Sequence, residues 1–234
     1  LEWDSSFFGV RVGSVSLSSQ CRLEDELNSA RAQGCKLVYI YSEKEIKQKS
    51  AGVFKLVDVG GQVNFVKRLA DAIDYSDKNM SIVEYSDRQV SSDIIELAYL
   101  SGHLSRFRID PCLPSGSFEL LYKTWIERTI DQAPKAKIYT YYRDGKAVGL
   151  ITSEQNQDIC TIGLLAVHPS YQGLGIATHL IKKIEALSLN NGAFSLEVKT
   201  QVSNGKAQSL YIKNSFSEAY RAFLYHAHIL PGRQ

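Results

Sequence analysis

Leu164-Leu165-Ala166-Val167-His168-Pro169-Ser170-Tyr171-Gln172-Gly173-Leu174-Gly175-Ile176-Ala177 is the stretch whose reading decides the fold. An apolar run closes on His-Pro, and a Gln-Gly-x-Gly-x-Ala turn follows. Apolar residues Ala177, Leu180, Ile181, Ile184 and Leu187 then recur at helical spacing. The order is strand, tight glycine turn, amphipathic helix. A helix start presents N–H groups without partners and a partial positive charge. Glycines at 173 and 175 remove side chains that would keep an anion away, so a phosphate or pyrophosphate is the natural guest. A ligand-free glycine-rich connection is the plain alternative, and a lone Gly-x-Gly turn would favour it. No Lys-Ser or Lys-Thr follows, so this is not the nucleoside-triphosphate loop. The third glycine and distal acid of a dinucleotide fold are also missing.

Working outward, Asp144-Gly145 between residues 137–142 and 146–154 is a hairpin signal, and 160–167 is the strand entering the glycine turn. Before these come a strand at 81–85, a helix at 91–99 capped by Ser91 or Ser92, a loop at 105–111 and a helix at 116–130. Strands at 193–200 and 218–229 finish the chain. In the first third, 7–17 suggests a strand interrupted at Gly9 and Gly13, and 23–33 a helix ending at Gly34. Residues 36–41 read as a buried strand, 44–50 as a short helix, and 54–59 and 63–69 as strands around Gly60-Gly61. Polar residues 71–78 read as a linker. The expected class is α/β with a mixed sheet: a smaller α/β domain over 1–75 and a second domain over 79–234.

The 234 residues suffice for one large or two small domains with a real core. Net charge is +2 with Lys and Arg dispersed, which argues against a nucleic-acid partner. Cysteines 21, 35, 112 and 160 form no C-x-x-C pair and have no His at ligand spacing, so free thiols and no metal are expected. His226 and His228 alternate on the last strand and read as core or surface histidines rather than ligands. No run approaches a membrane span, and Leu1-Glu2-Trp3-Asp4 has no charged-then-apolar opening, so a cytoplasmic location is expected.

The wider pattern resembles the GNAT superfamily of acetyl-CoA-dependent N-acetyltransferases. The residues that carry the likeness are Gln172-Gly173-x-Gly175-x-Ala177, the segment Ser195-Leu196-Glu197-Val198, and then Asn204, Ala207, Leu210, Tyr211 and Phe216. Ser215 departs from the glycine that commonly precedes the aromatic. The resemblance implies a GNAT fold in the second domain, with the first domain a partial copy of it or a plain extension. It implies that amides of Gln172, Gly173, Leu174, Gly175, Ile176 and Ala177 hold the coenzyme A pyrophosphate, with Thr178 a further contact. Leu165, Ala166 and Val167 would pair with the pantetheine arm, an amide near Ala166 acting as oxyanion donor. Asn204 and Ala207 would touch the cofactor.

Tyr211 is the catalytic candidate. A phenol near pKa 10 and a thiol near 8.5 differ by about 2 kcal/mol, so a strengthening hydrogen bond to the departing sulfur is expected rather than full proton transfer. Simple packing of the ring is the alternative. Glu197 is the carboxylate candidate for a base, with a solvent-facing strand position equally open. Arg106, Phe107 and Arg108, with Tyr122 on the next helix, suit an acceptor bearing phosphates and a stackable ring; an exposed loop salt-bridged to nearby acids is equally open on spacing alone.

The opening Trp3-Asp4-Ser5-x-Phe7-Phe8-Gly9, the Ser105-Arg106-Phe107-Arg108 loop, Trp125-Ile126-Glu127 and the Ile162–Ala166 segment together resemble the dTDP-fucosamine acetyltransferase group. That likeness implies acetylation of a nucleotide-linked, 4-amino-4,6-dideoxy sugar for surface polysaccharide. The partners expected are this small molecule and, as an open option, a second copy of the chain. Other GNAT substrates (amino acids, polyamines, protein N-termini) and a non-catalytic coenzyme A-binding module are the competing readings.

Overall fold

A computed structural model describes residues 1–18, 23–69 and 82–229. Its first elements are α1 (Glu2–Phe8), β1 (Val12–Leu17), α2 (Leu23–Ala32), β2 (Leu37–Ser42), β3 (Ser50–Ala51) and β4 (Phe54–Arg68). Next come β5 (Ile82–Glu84), α3 (Ser92–Ser101), α4 (Arg106–Ile109), α5 (Ser117–Asp131), β6 (Ala136–Arg143) and β7 (Lys146–Asn156). The last are β8 (Ile159–Val167), α6 (Ile176–Asn190), β9 (Ser195–Gln201), α7 (Gly205–Lys213) and β10 (Ser217–Ile229).

The strands form one mixed sheet in the order β1-β2-β10-β4-β9-β8-β7-β6-β5, with β3 pairing β4 off that path. β4 lies antiparallel to both β9 and β10, so a strand from the N-terminal third separates two from the C-terminal third. Asp144 and Gly145 both take positive φ (51° and 76°) and turn β6 into β7, the conformation a tight hairpin with right-handed strand twist requires.

Helix α6 buries Ile176, Leu180, Ile181 and Ile184 on one face of the sheet, each worth about 1.5–3 kcal/mol. Its approach depends on Gly149, where a Cβ would lie 2.8 Å from Ile176 Cγ2. Helices α3 and α5 cover the opposite face with Ile94, Leu97, Leu121 and Ile126. No helix among the described residues is long and apolar enough to cross a membrane.

Four local expectations are corrected. Residues 2–8 are a helix rather than the start of a strand, because Trp3, Phe7 and Phe8 recur at helical spacing and Gly9 ends the turn in the left-handed region. Residues 44–50 form no helix: Ser42 Oγ donates to the Lys44 carbonyl (2.6 Å) and the Ile46 amide donates to the Tyr225 hydroxyl (2.9 Å). Residues 54–68 are a single strand, with Gly60 (φ 90°) at an irregularity in its pairing with β10. The loop at 105–111 contains one helical turn capped by Ser105, whose Oγ accepts from the Phe107 amide. The 71–78 linker and Cys21 lie outside the described residues; Cys35, Cys112 and Cys160 are free thiols.

Candidate active site

The site begins with a one-residue bulge. Along β7 and β8, Thr152 stands opposite both Gly163 and Leu164, and Thr152 Oγ1 accepts the Leu164 amide at 2.9 Å. A Cβ on Gly163 would sit 2.9 Å from that oxygen, so the approach needs glycine. The slip exchanges the strand's two faces. Cys160 and Ile162 pack beneath α6, whereas Leu164 and Ala166 pack beneath α3 and α5.

Beyond the bulge β8 loses its second neighbour. It pairs in parallel with β9 only from Ile159 to Ile162. A cavity of about 380 Å³ opens there, with Leu164 and Leu165 on one wall and Lys199, Thr200 and Gln201 on the other. The His168 amide donates to the Val148 carbonyl, and the same register carries back through 166/150. In an antiparallel ladder this turns the Ala166 amide toward β7 and leaves Leu165 and Val167 facing the gap. Near Ala166, the amides that face the gap are therefore those of Leu165 and Val167 rather than that of Ala166 itself. Gln172 Nε2 donates to the Val167 carbonyl at 3.1 Å and ties the glycine turn to this edge.

Gly173 (φ 79°) and Gly175 (φ 78°) both adopt the left-handed conformation. A Cβ at Gly173 would meet nothing within 4 Å, so glycine supplies the backbone angle there rather than room. The first helical bond runs from the His179 amide to the Gly175 carbonyl (3.1 Å). Among the described residues, no amide from Gly173 to Thr178 donates to a protein acceptor. Leu174, Ile176 and Ala177 thus belong to one row of bare N–H groups at the positive end of a 15-residue helix. Thr178 is turned aside: its Oγ1 accepts from Asn214 Nδ2 at 3.5 Å.

Helix α7 forms the opposite wall. Asn204 caps it, Oδ1 accepting from the Ala207 amide at 3.2 Å, and both residues line the cavity with Tyr211. The Tyr211 ring is held between Phe65 and Phe216, each 5.7 Å away centre to centre. Burial pushes its phenol well above the ordinary range, so it stays protonated at any working pH. Ser215 adopts φ 65°, a left-handed geometry that glycine takes without strain.

On the α4–α5 side Arg106, Phe107 and Tyr122 line the cavity. The Arg106 guanidinium lies 4.1 Å from the Tyr39 ring centre and 4.7 Å from that of Phe107, and Nη1 donates to the Tyr41 hydroxyl (2.9 Å). Tyr122 is buried beside Phe118, and burial raises its phenol pKa. Two expected residues are not brought in. Arg108 points its guanidinium at Phe118 (5.1 Å), because helical spacing turns it away from Arg106. Glu197 stands across from Thr161 and Val66 where β9 is paired on both sides, and it lines neither this cavity nor the adjoining one.

The sequence reading missed Asp110. Its fully buried carboxylate ends the α4 turn and joins it to β10: Oδ2 accepts from His226 Nδ1 (2.6 Å) and His228 Nε2 (2.7 Å), and Oδ1 from the Cys112 amide (2.8 Å). Burial alone would raise its pKa, but these donors more than offset that and hold it well below the carboxylate range. Burial pushes the His226 imidazole down, so the pair is an ionised aspartate with a neutral histidine. A four-coordinate metal would spread such donor atoms to about 3.3 Å apart. The observed contacts are hydrogen-bond lengths, and the trio is a clip under Arg106. Only the i, i+2 spacing of the histidines was visible beforehand; their partner is 116 residues away.

Residues 104–216, from the turn before α4 to the aromatic after α7, match the acetyltransferase (GNAT) family. The spore coat polysaccharide biosynthesis protein SpsD of Bacillus subtilis is 27% identical over 141 residues, covering 60% of this chain and 48% of that protein. The chain thus spans about half the length of this relative. The solved tandem GNAT protein from the clavulanic acid biosynthesis pathway shares the fold at TM-score 0.55 and 13% identity, covering 91% of this chain and 70% of that one. A GCN5-related N-acetyltransferase from Sphaerobacter thermophilus does so at TM-score 0.52 and 16% identity, covering 91% and 67%.

Proposed function

We propose that this chain, whose residues 104–216 form a GNAT acetyltransferase domain, transfers an acetyl group from acetyl-CoA to the amine of a nucleotide-linked amino sugar. The observation that carries the transfer is the pairing of two unsatisfied backbone surfaces. One is the row of amides from Gly173 to Thr178; the other is the β8 edge at Leu165 and Val167, where only the Val167 carbonyl is already taken, by Gln172. The first fits a pyrophosphate and the second fits an amide-bearing arm lying as an added strand.

Bound there, acetyl-CoA supplies an activated acyl group as its thioester. The chain's own residues do the rest. Gly173, Leu174, Gly175, Ile176 and Ala177 hold the diphosphate through their backbones. The Leu165 or Val167 amide, already aimed into the gap, stabilises negative charge developing on the carbonyl oxygen. Asn204 fixes the start of α7 and thereby the line of Tyr211. Tyr211 keeps its proton and donates a hydrogen bond that strengthens as the leaving sulfur gains charge. An amino-sugar amine loses its proton near neutrality, so water suffices as base and no role is assigned to Glu197.

The amino-sugar assignment is supported by Arg106, a guanidinium held on aromatic faces at the cavity with no carboxylate partner among the described residues. The polysaccharide role in the name of SpsD agrees with it. The test is a thiol-release assay over a panel of dTDP- and UDP-amino sugars, polyamines, amino acids and peptides. Turnover confined to peptides or simple amines would refute the sugar assignment, and no coenzyme A binding at all would refute the transfer.

A further inference from the structure

Beside the gap lies a second chamber of about 360 Å³, lined by Trp3, Arg106, Trp125 and Arg128 among others. The two spaces share Arg106, Phe107, Trp125, Thr161 and Gly163, so they meet where β8 bulges. Gly163 makes the junction possible: a Cβ there would lie 3.4 Å from the Trp125 ring as well as against Thr152.

The chamber's charge is unusual. Arg128, in the last turn of α5, holds its guanidinium 5.2 Å from the Trp3 ring centre, and Trp3 in turn stacks on Phe7 at 5.3 Å. Neither Arg128 nor Arg106 has a carboxylate partner among the described residues. Of the carboxylates that line the chamber, Glu154 pairs with Lys135 (2.9 Å), and Asp4 Oδ1 accepts from the neutral Tyr39 hydroxyl (2.9 Å), so one uncompensated carboxylate stands against two guanidiniums. Two planar guanidiniums, fixed by aromatic stacking with N–H forks to spare, suit a ligand carrying adjacent phosphates. Trp125, 38% exposed, offers an indole face for a heterocyclic base.

Building on the amino-sugar reading above, we propose that this chamber binds the nucleoside diphosphate of the acceptor. Arg106 and Arg128 hold the diphosphate, Trp125 and Trp3 frame the base, and the sugar passes Gly163 toward the thioester. Arg128, 22 residues from Arg106 and on another helix, takes the place that the sequence reading gave to Arg108.

The test is calorimetric titration of the full chain with thymidine diphosphate, uridine diphosphate and acetyl-CoA, on wild type and Arg128→Gln, with Arg128→Lys as the charge-keeping control. Arg128→Gln should weaken nucleoside diphosphate binding at least tenfold, Arg128→Lys less, and acetyl-CoA affinity should not change. If wild type binds a nucleoside diphosphate and Arg128→Gln weakens it less than threefold, or weakens acetyl-CoA equally, the chamber assignment falls while the amino-sugar reading stands. It falls alone, too, if nucleotide-linked amino sugars are acetylated with the same KM by Arg128→Gln. If wild type neither binds a nucleoside diphosphate nor acetylates any nucleotide-linked amino sugar, the substrate reading itself falls.

Discussion

Replacing Tyr211 by Phe removes one oxygen and little else. The ring keeps its contacts with Phe65 and Phe216, and no hydrogen bond from its hydroxyl to the described residues is broken. Folding stability should therefore move by less than about 1 kcal/mol. Turnover is another matter. A hydrogen bond to a charged acceptor contributes about 1.5–3 kcal/mol, and the sulfur carries that charge only as it departs. The expected loss in kcat is roughly 10- to 150-fold. Acetyl-CoA affinity should stay within a factor of about two, because the ground-state thioester sulfur is a poor acceptor. The assay is thiol release for kcat, calorimetry for acetyl-CoA, and thermal melting for stability. Since burial keeps the phenol protonated, the pH profiles of wild type and variant should share their shape up to pH ~10. A kcat within threefold of wild type, or a loss of affinity matching the loss of turnover, refutes the assignment.

Gly175→Ala should cost about 1–2 kcal/mol for the left-handed angle and raise the acetyl-CoA Kd, read by melting and calorimetry; unchanged affinity would free the turn from cofactor binding. Ser215→Gly relieves the same strain without touching the cavity, and should raise stability by up to about 1 kcal/mol by denaturant titration with kcat unchanged. His226 and Asp110 are both held below their ordinary pKa, so each adds stability above its unfolded value, and this is lost as pH falls toward the folded one. The His226 share therefore fades below pH ~6.5 and that of Asp110 only below pH ~4. Melting curves of wild type should decline between pH 7 and 5 more steeply than those of His226→Gln, and equal slopes would dismiss the clip. Asp110→Asn should raise the acceptor KM through Arg106 more than it changes acetyl-CoA binding.

What the sequence made legible is what local chemistry decides. The glycine turn, the Asp144-Gly145 hairpin, helix α5 and the Asn204 cap are each specified within one or two turns of chain, and the structure has them within a residue or two. The bulge at Gly163 was not legible, because a one-residue slip depends on Thr152 across the ladder. That slip moved the gap-facing amide off Ala166. Arg108 shows the same limit: residues 105–111 carry too few apolar positions to display a helical period, so the turn that rotates it away from Arg106 left no pattern to read. Arg128 and the Asp110 clip lay out of sight for a simpler reason, since only packing between separate elements brings their partners together.

The wedge of β4 between β9 and β10 has a practical corollary. A fragment trimmed to the catalytic motif would begin after residue 69, lay bare one edge of β9 and leave β10 with neither of its partners, β2 and β4, so that both strands stand ready to seize a foreign one. Heterologous expression of such a piece invites aggregation. Supplying the missing third as a separate polypeptide offers a route to reconstitute it, with both pieces inert until they meet.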